Sequence, residues 1–227
     1  MDETFRIGDL VLYKNNQLIA FNKPAGLPAQ ADQTGDKALI NLAEIYCQSK
    51  LHLIHRLDRP ASGIALFAKT TGALASLNEQ FRERQVEKVY LAAVAAKPEP
   101  AEGVLRHYLL KQARQNRTLA LAEERPGAKL AELSYRCIAS STHYHFLEIR
   151  LLTGRHHQIR AQLAAIGCPI KGDVKYGARR SNPDRSIHLH AWKLRFRHPV
   201  SGEWEEIIAP LPAGDPLWRS WAAEEEA

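Results

Sequence analysis

His143-Tyr144-His145-Phe146-Leu147-Glu148-Ile149-Arg150-Leu151-Leu152-Thr153-Gly154-Arg155-His156-His157-Gln158-Ile159-Arg160 changes its hydrophobic period half way along. Up to Leu152, the apolar residues Leu147, Ile149 and Leu151 recur at every second position, which places them on one face of a strand. Thr153-Gly154 breaks that strand. Ile159, Leu163 and Ile166 then recur at helical spacing and are expected to face inward, with Gly167 and Pro169 ending the helix. Residues 130–139 carry the same kind of strand signal, so 130–139 and 143–152 read as the two arms of a hairpin. A hairpin followed by a helix argues for an antiparallel α+β arrangement rather than a doubly wound sheet.

The rest of the chain agrees. Residues 10–14 and 18–22 read as short strands around the turn-forming Asn15-Asn16, and Lys23-Pro24-Ala25-Gly26-Leu27-Pro28 is held extended by its two prolines. A helix is expected at 38–47 and an apolar strand at 62–69. Thr70 or Thr71 can cap the helix that follows, which carries Leu74, Leu77 and Phe81 as a core stripe. Residues 88–96 form another strand, ended by Lys97-Pro98-Glu99-Pro100. Residues 106–117 are basic and amphipathic without a clear period, so their element type stays open. A last hairpin, 186–197 with 203–208, surrounds His198-Pro199-Val200-Ser201-Gly202, and the acidic tail 222–227 is expected to fray. With no repeat or low-complexity linker, residues 1–227 parse as one catalytic-sized domain: a mostly antiparallel, mixed sheet flanked by helices.

Composition narrows the class. A chain of 227 residues, 45% of them hydrophobic, can bury a substantial core. It holds no run of about eighteen apolar residues, and Met1-Asp2-Glu3 is acidic where a signal peptide would be basic, so a soluble, cytoplasmic protein is expected. Cys47, Cys137 and Cys168 have neither CxxC spacing nor nearby histidine partners and read as reduced thiols, with no disulfide framework or zinc site. The net charge is +6, and it is unevenly spread. Residues 150–200 hold 11 basic and 2 acidic side chains, 8 of the basic ones arginine, whereas the remainder is near neutral or acidic. Such a segment suits contacts to the phosphates of a polyanion.

Two constellations carry the chemistry. In His55-Arg56-Leu57-Asp58-Arg59-Pro60-Ala61-Ser62-Gly63 a carboxylate sits between two guanidinium groups on a loop entering a buried strand, at the rim of a core. Asp58 is therefore a candidate catalytic group, set against the plainer reading of an ion pair bracing a loop. In 153–160, Arg155 lies near a helix N-terminus, where anions are favoured, and Arg160 projects one residue beyond the core-facing Ile159. Paired metal ligation by His156 and His157 is excluded on the expectation that adjacent helical residues point about 100° apart.

Taken together, these strings resemble the RluA-type pseudouridine synthases, which modify ribosomal and transfer RNA. The resemblance runs from Asn22-Lys23-Pro24-Ala25-Gly26-Leu27-Pro28 through His55-Arg56-Leu57-Asp58 with Ser62-Gly63, Lys88-Val89-Tyr90, and Thr153 to Arg160. It closes with Gly172-Asp173-Val174-Lys175-Tyr176-Gly177 and Leu189-His190-Ala191. It implies the pseudouridine synthase fold with an active-site cleft across the sheet, in a stand-alone catalytic domain without the family's optional S4 module. Asp58 becomes the catalytic aspartate, Tyr90 the active-site tyrosine that packs against the target base, and Arg160 the arginine that pairs with the aspartate. RNA contacts are expected from Arg56 and Arg59 around the aspartate, from Arg155, His157 and Gln158, from Lys171, Lys175, Arg179 and Arg180 in the following loop, and from Leu189. Ala61 and His156 stand where the family usually has threonine.

Isomerising uridine breaks N1–C1′, turns the uracil and joins C5 to C1′, with no redox change or group donor. No cofactor is expected, in keeping with the absence of a GxGxxG or Walker-type sequence. Asp58 can serve as nucleophile at the sugar or as base toward its 2′ proton, and both need it ionised. The partners implied are RNA alone, with no membrane and no metal, and the chain is read as a monomer. Two other readings stand beside this one: a catalytically silent RNA-binding protein on the same scaffold, and a metal-dependent hydrolase, which lacks HExxH or clustered Asp/His spacing.

Overall fold

The structure, a computed structural model, describes residues 6–31 and 35–225; Met1-Asp2-Glu3 and the last two residues of the acidic tail lie outside them. In chain order the strands are β1 (Val11–Lys14), β2 (Leu18–Lys23), β3 (His52–Leu53), β4 (Ser62–Ala68), β5 (Glu87–Val94), β6 (Glu102–Gln112), β7 (Arg117–Leu121), β8 (Lys129–Ser140), β9 (His145–Leu151), β10 (Leu189–Arg197) and β11 (Trp204–Ile208). The helices are α1 (Leu39–Cys47), α2 (Thr71–Arg82), α3 (Gln158–Ala165) and α4 (Pro216–Glu225). Every strand pair with a described register is antiparallel, which bears out the α+β expectation.

The chain divides into two compact units. The first comprises Met1–Glu87 and Ala191–Ala213. Its strands run in the order β1-β2-β4, with β3 added to β4 and β11 paired to β10. The β1–β2 turn closes because the Asn15 side chain accepts the N–H groups of Gln17 (2.8 Å) and Leu18 (2.7 Å). Strand β4 is buried along its whole length. Phe67 meets Phe21 edge-on, with ring centroids 6.0 Å apart, in a core shared with Ile19, Leu39, Ala43, Leu51 and Ala65. Removing either ring would cost about 3–5 kcal/mol. Thr70 caps α2 by accepting the Ala73 N–H at 3.2 Å. The buried line of α2 is Ala73, Leu77 and Gln80, so the expected stripe is displaced: Leu74 and Phe81 are only half-buried at its margin.

The second unit comprises Lys88–His190 and Gly214–Ala227, with strand order β5-β9-β8-β6-β7. The β8–β9 hairpin forms as the alternation requires, with Leu147 and Ile149 fully buried. The unassigned 106–117 stretch is the end of β6, a single 3-10 turn at Ala113–Gln115, and the start of β7. Helix α3 departs from expectation. Its first six residues are all buried, Gln158, Arg160 and Gln162 included, and Ile166 is only half-buried at its C-terminal cap. The tail is also helical to Glu225 as α4. Asp215 caps it by accepting the N–H groups of Leu217 (2.8 Å) and Trp218 (3.1 Å), and Trp218 and Trp221 both pack on Phe146. Among the described residues no helix is long and apolar enough to cross a membrane.

Candidate active site

In the first unit, the segment bearing Asp58 is fixed by a buried lysine. Lys23, the last residue of β2, has no solvent exposure. Its Nζ donates toward the carbonyl oxygens of Pro24 (3.0 Å), Leu27 (2.9 Å), Arg59 (3.2 Å) and Ala61 (2.6 Å). One side chain thereby ties the 24–27 loop to the residues just after Asp58. Desolvation pushes the pKa of Lys23 down to about 7, the charge of Asp58 pulls it up, and Arg59 adds to the lowering. Four acceptors exceed the two N–H groups of a neutral amine, so the cage pulls toward the ammonium form, but burial prevails and the folded pKa stays near 7.

Arg59 reinforces the same junction. Its Nε donates to the Gly26 carbonyl at 2.9 Å, the Gly26 N–H donates back to the Arg59 carbonyl at 2.8 Å, and its guanidinium pairs with Asp36. Gly63 takes φ +109°, and a Cβ there would lie 2.3 Å from the Ala191 carbonyl oxygen, so only glycine lets β4 begin where it does. His55 stacks on Phe81 with ring centroids 5.7 Å apart, and its Nε2 accepts the Leu66 N–H at 3.3 Å. Leu57 is buried, Asp58 half-buried and Arg56 exposed. The HRLD motif is thus a carboxylate on a loop whose backbone is held from several sides, an arrangement that resists relaxation when charge or bonding at the carboxylate changes.

In the second unit, Tyr90 is 8% exposed on β5, opposite Ile149 of β9. Arg160 is buried on α3. Its Nε lies 2.7 Å from Asp173 Oδ2 and its Nη2 2.9 Å from Oδ1, a two-pronged pair. The Arg160 guanidinium also lies 5.0 Å from the centre of the Tyr176 ring. The Tyr176 hydroxyl accepts the Thr118 N–H at 2.8 Å and sits 2.9 Å from His157 Nδ1. Burial pushes the Tyr176 pKa up, which keeps the phenol protonated and able to donate to that ring nitrogen.

His157 holds the left-handed backbone conformation, φ 50°, just before α3. Its ring stacks on that of His156, centroids 3.8 Å apart, so the expectation that the two rings diverge is overturned: they precede the helix, and the 100° rule does not reach them. His156 Nδ1 pairs instead with Thr118 Oγ1 at 2.9 Å. Among the described residues no three His, Cys, Asp or Glu side chains gather as metal ligands.

The remaining candidates sort by exposure. Gln158 is buried, its Oε1 accepting from Thr153 Oγ1 (2.8 Å) and the Arg155 N–H (3.0 Å), its Nε2 donating to the Glu132 carbonyl (3.0 Å). Leu189 is buried at 4% exposure. Lys171 is half-buried and donates to Asn182 Oδ1 at 2.8 Å. Arg155, Lys175, Arg179 and Arg180 are exposed. Lys23, Asp173 and Tyr176 each stand inside a family-like motif without a role of their own in the sequence; a lysine ending an apolar strand and an acid in an otherwise basic segment are the signals that point to them.

Residues 17–165 match the family model described as RNA pseudouridylate synthase. The chain belongs to that family. A curated relative from Chloroflexus aurantiacus, an uncharacterized RNA pseudouridine synthase, is 37% identical over 201 residues, covering 85% of this chain and 62% of the relative. Ribosomal large subunit pseudouridine synthase C of Vibrio parahaemolyticus is 32% identical over 221 residues, covering 93% and 68%. The chain therefore spans 62% and 68% of the length of these two relatives. The solved structure of human RNA Pseudouridylate Synthase Domain Containing 4 superposes with a TM-score of 0.75 at 25% identity over 91% of both chains. The resemblance to pseudouridine synthases and the fold it implied are both borne out.

Proposed function

We propose that this chain isomerises uridine to pseudouridine in RNA, with Asp58 as the essential carboxylate. The observation that carries the reading is the bracing of the Asp58 loop by Lys23, Arg59 and Gly63 in a chain of this family. A merely structural ion pair needs no such cage of backbone contacts around a half-buried acid. Tyr90 is assigned to pack against the uracil and Arg160 to keep Asp58 ionised, whether Asp58 acts as nucleophile or as base.

A uridine in folded RNA exposes neither its C1′ nor its C5, so it must be everted at a cost of a few kcal/mol. Stacking on Tyr90 returns about 1–3 kcal/mol of that, and phosphate contacts from the basic 150–200 segment supply binding that weakens as salt rises. Relatives carry the name ribosomal large subunit pseudouridine synthase, which makes large-subunit ribosomal RNA the first substrate to try and transfer RNA the second. A cytoplasmic, monomeric, cofactor-free protein completes the proposal.

The test is carbodiimide primer extension on both RNAs after incubation with the purified protein, alongside pseudouridine maps of a deletion strain and its parent. New stops on one RNA, absent from the deletion strain, are expected. Binding without product on either RNA, and identical maps in the two strains, would leave only the silent RNA-binding reading.

A further inference from the structure

The stretch whose type the sequence left open has a tip joined to one of the family motifs. Between Gly103 and Ala122 there is no acidic residue, but there are Arg106, Lys111, Arg114 and Arg117. The last three surround the turn that links β6 to β7, where Asn116 adopts a left-handed conformation, φ 44°, that closes the loop. That tip is fastened to the 3-10 turn Val174–Tyr176 residue by residue. The Asn116 carbonyl accepts from Lys175 Nζ at 3.3 Å. The Arg117 guanidinium lies 5.2 Å from the centre of the Tyr176 ring, and the Thr118 N–H donates to the Tyr176 hydroxyl at 2.8 Å.

Arg117 differs from the other arginine on that ring. Arg160 has the Asp173 carboxylate. Arg117 has no carboxylate within ion-pairing distance among the described residues, and its Nε is shielded from solvent without meeting an acceptor. An arginine cannot discharge itself at any ordinary pH, so a half-buried one without an acid is a cation kept in place for an anion from outside. Arg114 and Lys175 stand exposed on either side of the junction and add to the same positive patch.

We propose that Arg117, Lys175 and Arg114 form a docking site for the phosphodiester backbone of RNA, held ready by Tyr176. A guanidinium matches a pair of phosphate oxygens, and the flanking point charges suit the next phosphates along a strand. The proposal rests on the RNA reading above and goes beyond it by assigning a surface.

The experiment measures binding to a large-subunit ribosomal RNA fragment by fluorescence anisotropy across a salt series. It uses Asp58→Ala protein, so that turnover plays no part. Each of Arg117→Gln, Lys175→Ala and Arg114→Ala should lower the slope of log affinity against log salt by about one and weaken binding at fixed salt. In Asp58-intact protein they should raise KM and leave kcat unchanged at saturating RNA. Arg136→Ala, an exposed arginine in β8, serves as control and should keep the original slope.

Lys175 and Arg114 are surface positions, so their arms read out even if Arg117→Gln misfolds. Unchanged slopes in both, or losses confined to kcat, overturn the docking site. If the intact protein makes no pseudouridine while the slopes fall as described, the isomerase reading fails and the docking site stands.

Discussion

Arg160 and Asp173 are joined through two parallel contacts, Nε to Oδ2 at 2.7 Å and Nη2 to Oδ1 at 2.9 Å, with side chains 5% and 1% exposed. A buried pair adds little net stability over a well-packed apolar pair, but removing one member leaves an uncompensated charge in the interior at a cost of about 3–5 kcal/mol. Asp173→Ala and Arg160→Ala should therefore each lower the urea midpoint severely. The double change Asp173→Leu with Arg160→Met should cost clearly less than the two single losses added together. Additive losses would mean that the pair is not the unit that matters. Arg160→Ala is also expected to cripple turnover if it performs the role assigned to it.

Lys23 gives a pH signature of defined sign. Its folded pKa, about 7, is below its ordinary 10.5, so between those values the unfolded chain holds a proton that the folded chain has released. Stability should rise with pH across that window, by at most about 5 kcal/mol. Lys23→Met removes this term and also leaves four carbonyl oxygens without their shared donor. The variant should be less stable than wild type by about 2 kcal/mol or more at pH 8, since each buried acceptor left unmatched costs on the order of 1–3 kcal/mol, and its stability should vary less between pH 7 and 10. Urea melts at three pH values decide it; a variant as stable as wild type with the same slope sinks the cage.

What could be read beforehand followed from one physical fact: alternation in a strand reports solvent on one side only. The β8–β9 hairpin has that geometry, and Leu147 and Ile149 showed it in the bare sequence. Strand β6 is half-exposed along much of its length, so its pattern has no sharp period. Helix α3 misled for a different reason. A polar residue paired inside looks the same in one dimension as a polar residue in water, and Gln162, which donates to the Leu105 carbonyl at 3.0 Å, is buried like Gln158 and Arg160. Helix α4 was legible in principle: Asp215-Pro216 is a cap followed by proline at the first helical position, and Trp218 and Trp221 recur at helical spacing. Of the site, Asp58 stood out as an acid between two arginines and Arg160 by its helical spacing, Tyr90 was visible only as a motif position, and Lys23 and Asp173 act through contacts that no spacing encodes.

The docking of α4 should be acid-sensitive. Asn182 Nδ2 faces His188 Nδ1 at 3.1 Å, which leaves the ring proton on Nε2, 3.1 Å from Asp215 Oδ2. Burial lowers the His188 pKa, with Asp215 opposing, so the fold prefers the neutral ring. Stability that is complete above the ordinary histidine value of 6.5 should be lost as the pH falls below it. Burial alone would raise the Asp215 pKa, but His188 and the two capping N–H groups outweigh it and hold the acid low. That contribution persists to below its ordinary value of 3.8. Tryptophan fluorescence, reporting Trp218 against His188 and Phe146, should change as the pH falls below 6.5, ahead of global unfolding. Asp215→Ala should cost about 1–2 kcal/mol from the lost cap alone. A fluorescence profile that stays flat until global acid unfolding would reject the coupling.

Asp58→Asn separates chemistry from architecture. The contacts that fix its loop are made by Lys23 with main-chain carbonyls, by Arg59 with Gly26, and by Gly63 against Ala191. Each of these contacts ends on main-chain atoms, so an isosteric amide should leave the loop in place and the melting temperature close to that of wild type. An amide can neither attack the sugar nor take its 2′ proton, so pseudouridine formation should vanish in the primer-extension assay. RNA affinity, set mainly by phosphate contacts elsewhere, should stay within a few-fold of wild type. Product formed at the wild-type rate by the amide variant would show that the acid on this braced loop is not the catalyst. Loss of folding instead would show that the carboxylate itself holds the loop.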